Sequence, residues 1–127
     1  MKGTALAVSA FCITAVAFTK AHGASSDGDA RRGKSLYDSR CTACHSLDHS
    51  RIGPAHRGVF GRHAGQVAGF DYSSALRLSH VMWNTKSLDR WLANPELFIP
   101  GQKMGYSVPD AKDRADIIAF LASPDAR

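Results

Sequence analysis

Three residues within five positions carry the most specific chemistry of this chain: Cys41, Cys44 and His45, in the run Cys41-Thr42-Ala43-Cys44-His45. C-x-x-C-H is the spacing of a c-type haem attachment motif. Positions i and i+3 share one face of a helical turn, so both thiols can add to the two vinyl groups of one porphyrin. The next residue then brings an imidazole toward the iron from the same side. Three other chemistries share part of the pattern. A thioredoxin-type dithiol usually lies near a βαβ pattern, which this sequence lacks. A zinc knuckle needs a further ligand at short spacing, such as His49, and would leave the Gly/His-rich middle of the chain unexplained. A plain disulfide between Cys41 and Cys44 would constrain little.

A haem iron has a second axial position. Beyond the first 23 residues the methionines are Met82 and Met104. Met104 follows the Ile99-Pro100-Gly101 turn, which can hold a loop against a haem face, and it is the expected ligand. Met82 precedes Trp83 and reads as a packing residue. A thioether ligand raises the reduction potential. With both axial positions filled, no open site is left for oxygen or substrate, which points to electron transfer rather than catalysis.

These residues need a scaffold, and length bounds it. The chain has 127 residues, with 44% hydrophobic and 21% charged residues, the balance of one globular domain. Gly3 to Thr19 is uncharged and flanked by Lys2 and Lys20. That stretch is short of the roughly 20 residues of a comfortable membrane span. Followed by Ala21-His22-Gly23-Ala24, it reads as a secretory signal peptide over residues 1–23, with a single domain over 24–127. An uncleaved anchor is the competing reading. Export agrees with haem attachment, which bacteria carry out outside the cytoplasm. Cleavage removes two lysines, so the formal charge falls from +5 to +3. No basic run interleaved with aromatics supports nucleic-acid binding.

The elements around the motif read as helices. Asp29 caps a helix through about Arg40, interrupted by Gly33. Tyr72 to about Leu78 and Ser87 to Ala93 are shorter helices, the second capped by Ser87 and stopped at Asn94-Pro95. Asp110 to Ser123 is the clearest, with Ile117, Ile118, Phe120 and Leu121 on its apolar side. Residues 46–69 are rich in Gly, His and Arg and read as loop. So long an irregular middle needs something other than secondary structure to pack around.

Taken together, the blocks GDARRGKSLYDSRCTACH (28–45), GPAHRGVFGRHAGQVAGFDYS (53–73), Trp83 with LANPELFIPGQKM (92–104), and RADIIAFL (114–121) resemble the class I, mitochondrial-type cytochromes c and their bacterial periplasmic members. The resemblance implies an all-α fold. Its N- and C-terminal helices pack together around one covalently attached haem c, with long irregular loops. Pro54 matches the proline whose carbonyl accepts a hydrogen bond from the haem-ligating histidine, His45. Arg62, Tyr72 and Trp83 match residues that surround a buried haem propionate. Gly33 and Tyr37 match the contact of the first helix with the last, at Ile117 and Phe120. The implied metal ligands are His45 and Met104, and no catalytic residue is implied.

The implied protein is a periplasmic electron carrier, not an enzyme, and a monomer. Its partners would be redox proteins: a donor reductase or dehydrogenase, and an acceptor oxidase or reaction centre. It would meet the membrane only through partner complexes and would bind no nucleic acid. The alternative is a haem c subunit or a small peroxidase-like haem enzyme with a labile sixth ligand. Three positions depart from the family pattern. Trp91 stands where a tyrosine often bonds the methionine sulfur, so that bond is lost or reshaped. Leu76 replaces a polar asparagine and should dry the buried side of the haem. His56 stands where a leucine usually packs against the proximal haem face. It reads as a neutral packing or surface histidine, with a redox-linked proton as the sharper alternative. The segment between His45 and Gly53 is also shorter than in mitochondrial proteins.

Overall fold

A computed structural model describes residues 28–127. The expected signal peptide lies outside the described residues. In chain order the elements are α1 (Ala30–Arg40), α2 (Ser74–Arg77), α3 (Thr85–Ala93), α4 (Pro95–Phe98) and α5 (Ala111–Ala122), followed by a 3₁₀ turn at Pro124–Ala126. Among the described residues there is no β-strand beyond an isolated bridge between His63 and Met82.

Helix α1 starts at Asp29, whose carboxylate accepts from Arg31 N (2.9 Å) and Arg32 N (3.2 Å). Helix α5 is capped in the same way by Asp110, which accepts from Asp113 N at 2.8 Å. The two helices pack together at the ends of the chain, where their backbones touch. A Cβ built on Gly33 would lie 1.8 Å from the carbonyl oxygen of Asp116. Only glycine permits that approach. Tyr37 then packs on Phe120 with ring centroids 5.2 Å apart, and Ile117 is 1% exposed beside them.

Charge closes the edge of the same crossing. Asp116 is fully buried, and its carboxylate accepts from Asp29 N (2.7 Å), Arg32 and Lys112. Arg32 also pairs with Asp113, which Arg40 reaches at 2.9 Å. Burial pushes the Asp116 carboxyl up, but Lys112, the Asp29 N–H and Arg32 outweigh it and hold the group down to about 2.

Helix α3 lies against α5, with Leu88, Trp91 and Leu92 buried. Its cap differs from the sequence expectation. Asn84, not Ser87, is the N-cap: Asn84 accepts from Ser87 N (3.0 Å), while Ser87 Oγ accepts from Asn84 N (2.8 Å). Ser87 is thus the returning half of a capping box, and the helix starts one turn earlier than its apolar residues suggest. Asn94 ends α3, as expected, and at once caps a further short helix, α4, which the sequence does not predict.

The Gly-rich middle is loop, as expected, yet it is anchored. Gly61 N donates to Trp83 O (2.7 Å), Trp83 N to Arg62 O (2.9 Å) and Ala64 N to Val81 O (2.8 Å). Gly58 N reaches Ala126 O at 2.8 Å, tying the middle to the C-terminus. Met82 sits on the outside of this ladder and is 47% exposed, so it is not the packing residue its place before Trp83 suggested.

Candidate functional site

The residues that follow α1 keep turning. Cys41 N donates to Tyr37 O, Cys44 N to Cys41 O at 3.1 Å and His45 N to Cys41 O at 2.8 Å. Thr42 Oγ1 holds the turn to Asp38 O, and Arg51 donates to Thr42 O at 2.7 Å. One extra helical turn therefore presents both cysteines and the histidine to the same place. They meet a cavity of about 450 Å³, in the size range of a bound cofactor. Burial raises the Cys41 thiol to about 11, which leaves it protonated and is the reverse of what a redox dithiol needs. Among the described residues no group of three or more His, Cys, Asp or Glu side chains is placed to hold a metal ion.

His45 is buried at 8% exposure and donates from Nδ1 to Pro54 O at 2.8 Å. The bond leaves Nε2 as the unprotonated nitrogen available to a metal. Burial lowers the pKa of His45, and the Pro54 carbonyl opposes that only in part. Gly53 lies flat under the ring: a Cβ there would fall 2.2 Å from Cε1 and 2.7 Å from Nε2. His56 stacks on His45 with ring centroids 3.9 Å apart and planes 21° apart. Burial, then His45, then Arg62 hold His56 well below the ordinary histidine range, so it is neutral at neutral pH. Sequence reasoning missed Gly53, although the Gly-Pro step was the available signal. The resemblance places His56 near a proximal haem face, and the structure adds the partner ring.

The second candidate ligand sits on a braced loop. Met104 is half-buried and lines the same cavity. Gln102 Oε1 accepts from both Met104 N and Gly105 N, and Gln102 Nε2 donates to Glu96 Oε2 at 3.2 Å. The other oxygen of Glu96 accepts from Gly101 N at 3.0 Å, where a φ of +86° requires glycine. Glu96 and Gln102 were not singled out in sequence because surface carboxylates and amides carry no periodic signal.

Pro54, Arg62, Tyr72 and Trp83 line the cavity with Cys41, Cys44, His45 and Met104. The structure thus brings all eight sequence-expected site residues together. Arg62 donates to Arg57 O and Ala55 O, both at 2.9 Å, which fixes a cation at the wall. The Tyr72 hydroxyl accepts from Val67 N at 3.3 Å and keeps its own proton to donate, since burial raises its pKa. Trp83 is buried and packs on Trp91 at 5.4 Å. Val59, Leu76, Leu88, Leu92 and Leu121 give the remaining wall its apolar character. Leu76, 7% exposed, puts hydrocarbon where the family pattern has an amide. Trp91 makes no side-chain hydrogen bond among the described residues. Thiols, the Nδ1-anchored imidazole of His45, one thioether, an anchored cation and an apolar wall suit a covalent haem, with its vinyl groups, iron, propionates and flat hydrophobic ring.

The sequence profile of the cytochrome c family matches residues 30–124. Cytochrome c of Stellaria longipes is 42% identical over 99 residues, covering 75% of this chain and 92% of its own. Cytochrome c of Tetrahymena pyriformis is 44% identical over 99 residues, covering 76% and 90%. Among solved structures, cytochrome cH from Methylobacterium extorquens superposes with a TM-score of 0.71 at 38% identity, covering 74% of this chain and 97% of that one. The chain belongs to the class I cytochrome c family: an all-α electron carrier, not an enzyme, that binds one covalently attached haem c and works between redox proteins.

Proposed function

We propose that this protein is a periplasmic single-electron shuttle whose haem is bonded to Cys41 and Cys44 and axially ligated by His45 and Met104. The observation that carries this reading is the convergence of those four side chains on one cavity. When bound, the haem supplies one-electron exchange at iron. The chain's own work is to hold that group still. Pro54 keeps the His45 proton on Nδ1, so Nε2 stays a lone-pair donor. The Glu96–Gln102 brace holds Met104 in its loop, so the thioether need not be recruited at each electron transfer. Arg62, Tyr72 and Trp83 are the groups to offset and hydrogen-bond the propionates, and Leu76 and Leu92 exclude water.

Electrons leave near Cys41 and the Met104 loop in this reading. Cys44 is exposed there, and exposed Ile52 and Lys103 line the same cavity. The donor is a reductase or dehydrogenase and the acceptor an oxidase or reaction centre. The protein meets each as a monomer, after residues 1–23 have directed export and been removed. The bacterial cytochrome cH similarity supports the compartment.

The test is Met104→Ala in the haem-loaded protein. The haem stays attached, carbon monoxide binds readily to the reduced form, and the potential falls. The long-wavelength sulfur–iron charge-transfer band of the oxidised form disappears. An unchanged spectrum, with Met82→Ala causing the loss instead, would overturn the assignment. N-terminal sequencing of protein from the periplasmic fraction should begin at Ala24.

A further inference from the structure

His56 lies between two rings, stacked on one and hydrogen-bonded to the other, which is tilted by 57°. One face lies on His45, 3.9 Å between centroids and 21° between planes. Tyr37 is its other neighbour, 5.7 Å away between centroids, with the phenol oxygen 3.1 Å from His56 Nδ1. Tyr37 is itself immobilised: it is 2% exposed and packed on Phe120, at the point where α1 crosses α5. Its hydroxyl has no other partner among the described residues. Tyr37 and His56 Nδ1 therefore share one hydrogen bond, and each is the other's partner. The bond lies at one ring atom and fixes the roll of the His56 ring.

The His45 ring needs such a constraint. A single hydrogen bond from Nδ1 to Pro54 O fixes one atom but leaves the plane free to swing about that bond. Gly53 blocks motion toward its own backbone, since even a Cβ there would lie 2.2 Å from Cε1. A flat neighbour at stacking distance removes the rest of the freedom. A leucine at position 56 would offer tetrahedral methyl groups with no plane, and no hydrogen-bond partner for Tyr37. We propose that His56 is a positioning residue for the haem-binding imidazole: the Tyr37 hydroxyl orients the His56 ring, and the stacked His56 face sets the rotational angle of His45. The proposal rests on the assignment of His45 as an axial ligand.

The test uses haem-loaded wild type, Tyr37→Phe, His56→Leu and His56→Phe. In the oxidised protein the spread of the haem methyl proton resonances reports the orientation of the axial ligand planes. His56→Leu and Tyr37→Phe should each change that spread with the haem still attached and the Met104 methyl resonance in place. His56→Phe keeps a flat face and should recover more of the wild-type pattern than His56→Leu does. A wild-type pattern in His56→Leu, with only a lowered thermal midpoint, would overturn the proposal and leave His56 as packing. An unchanged pattern in Tyr37→Phe would also overturn it, and that variant tests the idea even where His56→Leu fails to fold. If His45 were not a ligand, wild type itself would lack the broadened, strongly shifted imidazole protons of a bound histidine. That distinct result overturns the ligand assignment and the proposal with it.

Discussion

Replacing Gly33 by alanine sets two effects of opposite sign against each other. Alanine is the better helix former, and in the middle of α1 it should stabilise by about 1 kcal/mol. Packing argues the reverse. The new Cβ would sit 1.8 Å from Asp116 O, and the nearest further atom, Asp116 C, is at 2.5 Å. Carbon and oxygen need roughly 1.5 Å more than that to reach ordinary contact. The obstacle is backbone at the centre of α5, so no side chain can turn aside. The helices must part, which loosens Tyr37 against Phe120 and stretches the pairs from Arg32 to Asp113 and Asp116. Overpacking a tight site costs about 3 kcal/mol at the upper end of its usual range. The net expectation is a loss of about 2 kcal/mol. Urea unfolding of the haem-loaded protein, followed by circular dichroism, measures it. Ser35→Ala, on the exposed side of α1, is the control and should change stability by a few tenths of a kcal/mol at most. If Gly33→Ala were neutral or stabilising, the close approach of α1 to α5 would be refuted.

Asp116→Asn should cost about 2 kcal/mol at pH 7, because one fully buried carboxylate accepts three hydrogen bonds, two of them from cations. The folded pKa of about 2 lies below the ordinary 3.8, so the stabilisation is present above pH 4 and is lost as pH falls from 4 toward 2. Acid titration of stability should be shallower over that window in the variant; equal slopes would exclude Asp116 as its source. His56 is held neutral well below 6.5 while the unfolded chain takes up that proton. Its contribution therefore lowers stability as pH drops through 6.5, and His56→Leu should flatten that part of the profile. Electron transfer with a partner should depend only weakly on salt. The formal charge beyond residue 23 is only +3, and Lys34 and Lys112 are paired with Asp38 and Asp116, so the net steering field is small. A steep fall in rate between low and physiological ionic strength would contradict this.

What sequence alone determined were the features whose causes lie within a few residues. Cys41, Cys44 and His45 fall on one turn because three residues nearly complete a helical turn, whatever the rest of the chain does. Asp29 caps α1 through N–H groups two and three residues away, and Asp110, which the sequence places as the first residue of the last helix, is its cap. The same locality misled at α3, where Asn84 and Ser87 are both good capping residues and only the backbone path decided which one caps. The placement of Pro54, Arg62, Tyr72 and Trp83 came from resemblance, since nothing in their spacing announces a common cavity.

Tertiary structure decided the rest, through contacts between residues far apart in sequence. Arg32 meets Asp116 across 84 positions, and Tyr37 meets His56 across 19. His56 acquires a partner ring only because the 53–56 backbone folds under His45, with Gly53 leaving room for it. Such contacts depend on how chain segments without periodic pattern are laid over one another. A residue's own chemistry says that it can stack, donate or pair, and the packing of distant segments selects which of these it does.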